Sequence, residues 1–187
     1  RTVGNTRIIT TDKKLGTGSL VFDGNDYLEA VNTEDRELFT PATGDMTWEM
    51  FVKFDVIDGL HTLFGKYGSG SEYFFYYDNG NTDWRLVYHA STYTWDDNSI
   101  TTGTWYHIAV VKDGTTNYLF KNGTSLGTNT ATYNTTQTGR NFVLGTSFNG
   151  SNAALYQLKG KLDEVRVTRV ARYTSNFTAP IKAFANR

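Results

Sequence analysis

The sequence of 187 residues contains no cysteine, which removes disulfides, thiolate chemistry and Cys-based zinc sites from consideration. Export is not excluded, because an oxidising compartment permits disulfides without requiring them. A charge bias is also missing. The 18 basic and 19 acidic residues give a formal net charge of −1, with no single-sign block to serve as a footprint for nucleic acid or an anionic membrane. No apolar run approaches the ~18 residues a membrane-spanning helix needs, and the opening Arg1-Thr-Val-Gly-Asn-Thr-Arg7 has no signal-peptide core. With no initiator methionine, the chain is expected to have been cut from a longer polypeptide. The three histidines, His61, His89 and His107, are isolated, with no metal-ligand spacing and no recognisable nucleophile motif beside them. The expectation is therefore a non-enzymatic domain.

What is abundant points to β-structure. Aromatics make up 15 %, Thr and Asn are frequent, and the 18 glycines and 2 prolines punctuate short runs. The length suits one domain, read as residues 18–187 after a linker or edge strand at 1–17. Met46 to Phe54 alternates most clearly, with Met46, Trp48, Met50, Val52 and Phe54 on one face and Thr47, Glu49 and Lys53 on the other. Further strands are expected at 61–66, 72–77, 84–89, 105–112, 117–121, 141–144 and 155–157. Asp78-Asn-Gly80, Asp113-Gly114 and Asn122-Gly123 are expected as hairpin turns. Residues 19–31 read as a hairpin about Asp23-Gly24-Asn25-Asp26, 33–37 as one helical turn, and 124–138 as a mobile connection. The pattern indicates an all-β fold, an antiparallel two-sheet β-sandwich.

Two acids are out of place. Asp163 falls in phase with Val165 and Val167, and Asp23 with Val21, so each carboxylate shares an apolar face and needs a partner there. Backbone N–H groups, the arginines at 166, 169 and 172, or a metal could supply it.

Several blocks in order resemble the laminin-G-like, concanavalin A-like jelly-roll family. They are Gly18-Ser-Leu-Val-Phe-Asp-Gly-Asn-Asp-Tyr-Leu28, Met46-Thr-Trp-Glu-Met-Phe-Val-Lys53, Thr62-Leu-Phe-Gly-Lys66, Gly103-Thr-Trp-Tyr-His-Ile-Ala-Val-Val111, Leu119-Phe-Lys-Asn-Gly123, Val143-Leu-Gly145 and Gly160 to Thr168. The closing Ala171 to Pro180 resembles the variant found in tailed-phage tail proteins and exported marine bacterial proteins. The resemblance implies adjacent first and last strands, with Asp23 close to Asp163. It also implies a structural calcium there, with Asp23, Asp26 and Asp163 as ligands. The related glucanases carry Glu-x-Asp-x-x-Glu on one strand, a pattern absent here.

The resemblance implies a recognition module for a cell-surface glycan or another receptor. Such a module would be part of a longer chain and would be placed on a virion tail or outside the cell. Sugar rings stack on aromatic faces and are oriented by a few polar groups. Trp48 and Trp105 occupy framework positions of the family and are expected in the core. Trp84 and Trp95, with Tyr88, Tyr93, Asp96 and Asp97, are the expected ligand site, Trp95 being an exposed platform in a polar loop. The competing expectation is a structural domain of a virion or fibre with no glycan ligand, indicated by burial of both tryptophans. A glycoside hydrolase ranks last.

Overall fold

A computed structural model describes residues 1–30, 44–66, 73–88, 91–132, 141–148 and 154–185. Among these there is no helix, and two seven-stranded antiparallel sheets form a β-sandwich. Sheet 1 has the order β1 (Thr2–Val3), β4 (Tyr27–Ala30), β13 (Phe142–Leu144), β6 (Leu60–Lys66), β7 (Tyr73–Asp78), β8 (Asp83–Tyr88), β9 (Ser91–Asp96). Sheet 2 has the order β12 (Thr124–Thr130), β11 (Thr116–Lys121), β10 (Trp105–Asp113), β5 (Met46–Phe54), β16 (Lys159–Thr168), β3 (Ser19–Asp23), β2 (Arg7–Ile9). A small pair, β14 (Ser147–Phe148) and β15 (Ala154–Leu155), stands apart.

The alternation of β5 has the expected consequence. Met46, Trp48, Met50, Val52 and Phe54 enter the space between the sheets and meet Tyr73, Phe75, Tyr77, Trp84, Leu86 and Tyr88 from β7 and β8. Each such side chain contributes roughly 1.5–3 kcal/mol by leaving water. Residues on β7 and β8 in the opposite phase, among them Tyr76 and Arg85, face outward from sheet 1.

Sheet 2 has its outer face covered. Residues 169–185 run back across it, and Ala171, Tyr173 and Phe177 pack on Ala109, Val111 and Phe120. Beneath this strap lies Glu49, fully buried, whose carboxylate accepts hydrogen bonds from Arg166 Nε at 2.8 Å and the Tyr173 hydroxyl at 3.0 Å. Arg172 Nε and His107 Nε2 stand 3.3 Å from it. Burial alone would push the Glu49 carboxyl up, but His107 and Arg166 outweigh it and hold it below the usual range. The strap comes so close to the β11–β12 turn that only glycine fits at 123. A Cβ there would lie 2.0 Å from the Phe177 carbonyl oxygen, and its φ is +82°.

Four expectations need correction. β3 and β4 do not pair: Asp23-Gly24-Asn25-Asp26 carries the chain from sheet 2 to sheet 1. Residues 91–96 and 124–130 are strands despite their polarity, because each lies at a sheet edge with one face in solvent. Trp105 is half-buried on the outer face of sheet 2, opposite Lys53, and is not part of the inter-sheet core. Lastly, β16 is bulged between Asp163 and Arg166, where Glu164 has φ +49°. Leu162 points into the core, Asp163 shares the outer face with Phe51, and Val165 and Val167 return to the core. Asp163 is therefore not on the valine face. The expected helical turn at 33–37 lies outside the described residues, as does 133–138 of the expected connection.

Candidate ligand-binding face

Among the described residues, none straps the outer face of sheet 1. Register sets its contents in rows across the strands: Tyr76 of β7 lies opposite Arg85 of β8, which lies opposite Thr94 of β9. In the next row Asp78 lies opposite Asp83, and Asp83 opposite Asp96.

Three rings form a layer on this face. Phe74 and Tyr76, next but one on the strand, have centroids 5.3 Å apart and nearly parallel planes. Tyr156 covers both, at 5.9 Å from Tyr76 and 6.3 Å from Phe74. Tyr156 itself is 40 % exposed. Tyr156 is held there by its backbone, since its carbonyl accepts the Thr62 amide at 2.7 Å and its φ is +54°. A bulky residue in that left-handed region costs on the order of 1 kcal/mol, which the surrounding contacts offset.

Beside the rings sits Arg85. Its guanidinium grips Asp83 through Nε at 2.8 Å and Nη2 at 3.1 Å, and reaches Asp78 at 3.1 Å. Asp83 pushes the Arg85 pKa further up, so it stays charged. Burial raises the Tyr76 hydroxyl, and the nearby Arg85 acts against that. Asp78 also accepts Asn81 Nδ2 at 2.7 Å and the Gly80 amide at 2.9 Å, which fixes the β7–β8 turn. Asp96 is exposed at the rim of the same face. The face therefore combines one accessible aromatic ring with a fixed row of hydrogen-bonding groups, the composition suited to a sugar.

The expected site divides across this geometry. Trp84 is 0 % exposed and Trp95 3 %, so neither indole can be a platform. Trp84 Nε1 donates to Asp97 Oδ2 at 2.9 Å, and Trp95 Nε1 to the Gly127 carbonyl at 3.1 Å. Tyr88 is buried and Tyr93 packs against the same core. Asp97 is turned inward, tied to Trp84, Ser99 and Lys121. Burial would raise its carboxyl, but those donors lower it. Only Asp96 among the six lies on the open face. The reason is phase: Trp84, Tyr88, Tyr93 and Trp95 alternate inward, while Phe74, Tyr76, Arg85 and Asp83 alternate outward. Sequence reasoning missed Tyr156, whose only signal was an aromatic just after a short apolar run.

The three expected calcium ligands do not converge. Asp23 pairs with Lys159, four residues before Asp163, so about 13 Å of strand separates the two carboxylates. Asp163 Oδ2 accepts the amides of Lys14 at 2.7 Å and Leu15 at 2.9 Å, and its Oδ1 accepts that of Glu164 at 2.8 Å. Asp23 accepts the Asn25 amide and Asn5 Nδ2. Asp26, 1 % exposed, takes the Asp23 amide on Oδ1 and leaves Oδ2 buried without a partner. Its carboxyl is pushed up by burial. These residues do not fit one shared ion, and among the described residues no group of three or more His, Cys, Asp or Glu could hold one.

The described residues form an antiparallel two-sheet sandwich of jelly-roll type, with a strap over the outer face of sheet 2. Residues 22–175 match the model of the concanavalin A-like lectin/glucanases superfamily, and the chain belongs to that family. No curated protein matches it. Among solved structures it is similar to domain 4 of AbnA, a GH43 extracellular arabinanase from Geobacillus stearothermophilus in complex with arabinotriose. Identity is 19 %, the TM-score 0.68, and 90 % of this chain and 77 % of that one are covered. A heptameric SAP-like pentraxin from Limulus polyphemus gives 19 % identity and a TM-score of 0.63 over 83 % of this chain and 77 % of that one. The CBM40 of Ruminococcus gnavus IT-sialidase bound to α2,6-sialyllactose gives 17 % and 0.60 over 71 % of this chain and 80 % of that one. At these identities the likeness speaks for the fold.

Proposed function

We propose that this domain is a non-catalytic glycan-recognition module whose ligand lies on the outer face of sheet 1, against Tyr156. The observation that carries this is the part-exposed Tyr156, held in a left-handed backbone conformation against Phe74 and Tyr76, with Arg85 opposite Tyr76 on the next strand and Asp96 further across the same face. Structural neighbours bound to sialyllactose and arabinotriose support the ligand class. The closing stretch 171–180, with its likeness to tail and exported proteins, supports a place on a virion tail or outside the cell, beside neighbouring domains of a longer chain.

The test is a glycan array followed by titration calorimetry with the wild type and Tyr156→Ala. Binding weakened by about tenfold or more in the variant, the order expected for one lost stacking contact together with its oriented hydrogen bonds, supports the site. Binding untouched by Tyr156→Ala sinks it. A second reading, a structural domain of a fibre with no glycan ligand, is favoured by the burial of both Trp84 and Trp95. Absence of binding across the array would support it.

A further inference from the structure

The charge around Tyr156 selects among glycans. Resting on the glycan reading above, we infer that this face takes an uncharged oligosaccharide and discriminates against sialylated or uronic ones. An arginine beside an aromatic ring would ordinarily mark a site for a sugar carboxylate, since the guanidinium fork matches that group in two-point fashion. The Nε–Nη2 edge of Arg85 is already taken. Its Nε and Nη2 are bonded to both oxygens of Asp83, and Nη2 also contacts Asp78. The fork is filled by the protein's own carboxylates.

Among the described residues of this row the remaining charge is negative. Asp78, Asp83 and Asp96 stand at one level of three adjacent strands, where cross-strand side chains lie about 5 Å apart, and Arg85 is the cation in their midst. No ion pair to Asp96 is found among the described residues, and it is exposed on the rim. A ligand carboxylate extending from Tyr156 across this row would meet an excess of carboxylates, with the Nε–Nη2 edge of Arg85 already bonded to Asp83 and its guanidinium also hydrogen-bonded to Tyr76. Sugar hydroxyls, which donate hydrogen bonds, meet an exposed acceptor in Asp96, Asp78 and Asp83 being buried against Arg85. The same arrangement tolerates an amino sugar, whose ammonium would complement Asp96.

The experiment is calorimetry at low and at moderate salt on matched probes: lactose against sialyllactose, galactotriose against trigalacturonic acid, and arabinotriose. The expected result is that at least one neutral probe binds and loses affinity in Tyr156→Ala, with its acidic partner about tenfold weaker or more. Asp96→Asn, a change at an exposed rim position, should narrow that gap, and added salt should narrow it too. An acidic probe that binds as tightly as its neutral partner, or tighter, overturns the charge inference while leaving the glycan reading intact. No binding by any probe overturns the glycan reading, and the inference with it.

Discussion

The carboxylate of Asp163 accepts the amide of Lys14 at 2.7 Å across 149 positions of sequence, and so ties the segment after β2 to the last strand. The bond exists because Asp163 follows the inward Leu162 and faces outward, the bulge after it returning Val165 and Val167 to the core, and three backbone amides converge on it there. Asp163→Ala strands those donors, and each bond to an ionised acceptor is worth about 1.5–3 kcal/mol. Urea unfolding should show a loss of about 3 kcal/mol. A loss below about 1 kcal/mol would mean that water replaces the carboxylate and the tie is dispensable.

Asp26 gives a prediction with a definite sign. Burial raises its pKa in the folded state, so the folded protein holds this proton more tightly than the unfolded chain. The stability it contributes is present below the unfolded value of about 3.9 and is lost as pH rises through the folded pKa. Asp26→Asn removes that dependence, so the variant should gain on the wild type between pH 4 and pH 7. If the variant is instead less stable at pH 7, and a chelator erases the difference by weakening the wild type, a cation and not a proton occupies the site.

Glu49 behaves in the opposite sense. Its carboxyl lies below the usual range when folded, so it stabilises above the unfolded value of about 4.3 and that stability is lost as pH falls through the folded pKa. Glu49→Gln should flatten the acid limb of stability. It should also cost about 3–5 kcal/mol, because Arg166 and His107 are left facing a neutral group. Amide exchange at 171–177 should quicken, since one of the two oxygens shared by Arg166 and Tyr173 becomes an NH2 donor. Unchanged exchange there would separate the strap from Glu49.

Trp84→Ala and Trp95→Ala are expected to act on folding and not on recognition. Each removes a core indole, at a cost of about 3–5 kcal/mol. Equilibrium unfolding measures that cost. Calorimetry on the fraction that remains folded should return the wild-type affinity, and a selective loss would move the site back to these residues.

The two-sheet fold was readable because β5 and β10 carry strong alternation or continuous apolar runs, and because Asn122-Gly123 has the positive φ its turn demands, 52° and 82°. The site was less so. Tyr73 and Tyr77 differ from Phe74 and Tyr76 only by one step of phase, and period-two logic cannot say which face a strand of six consecutive buried residues turns inward. The β16 bulge was hidden because a glutamate, not a glycine, takes the left-handed conformation. Polar β9 was hidden because an edge strand needs only Tyr93 and Trp95 facing inward. Arg85 is only half readable as a filled fork: Asp83 is two residues away on its own strand, but Asp78 depends on which strands pair.

Asp163 secures the segment at 14–15, and its neighbour Glu164 accepts the Phe184 amide while Arg166 lies over the Phe184 ring. Both ends of the domain are thus moored to one bulge. Tension on the two termini, once β1 has peeled from β4 and β2 from β3, would be borne in shear between residues 163 and 166. The Tyr156 face on the opposite sheet would stay unloaded and its grip would not depend on the pull.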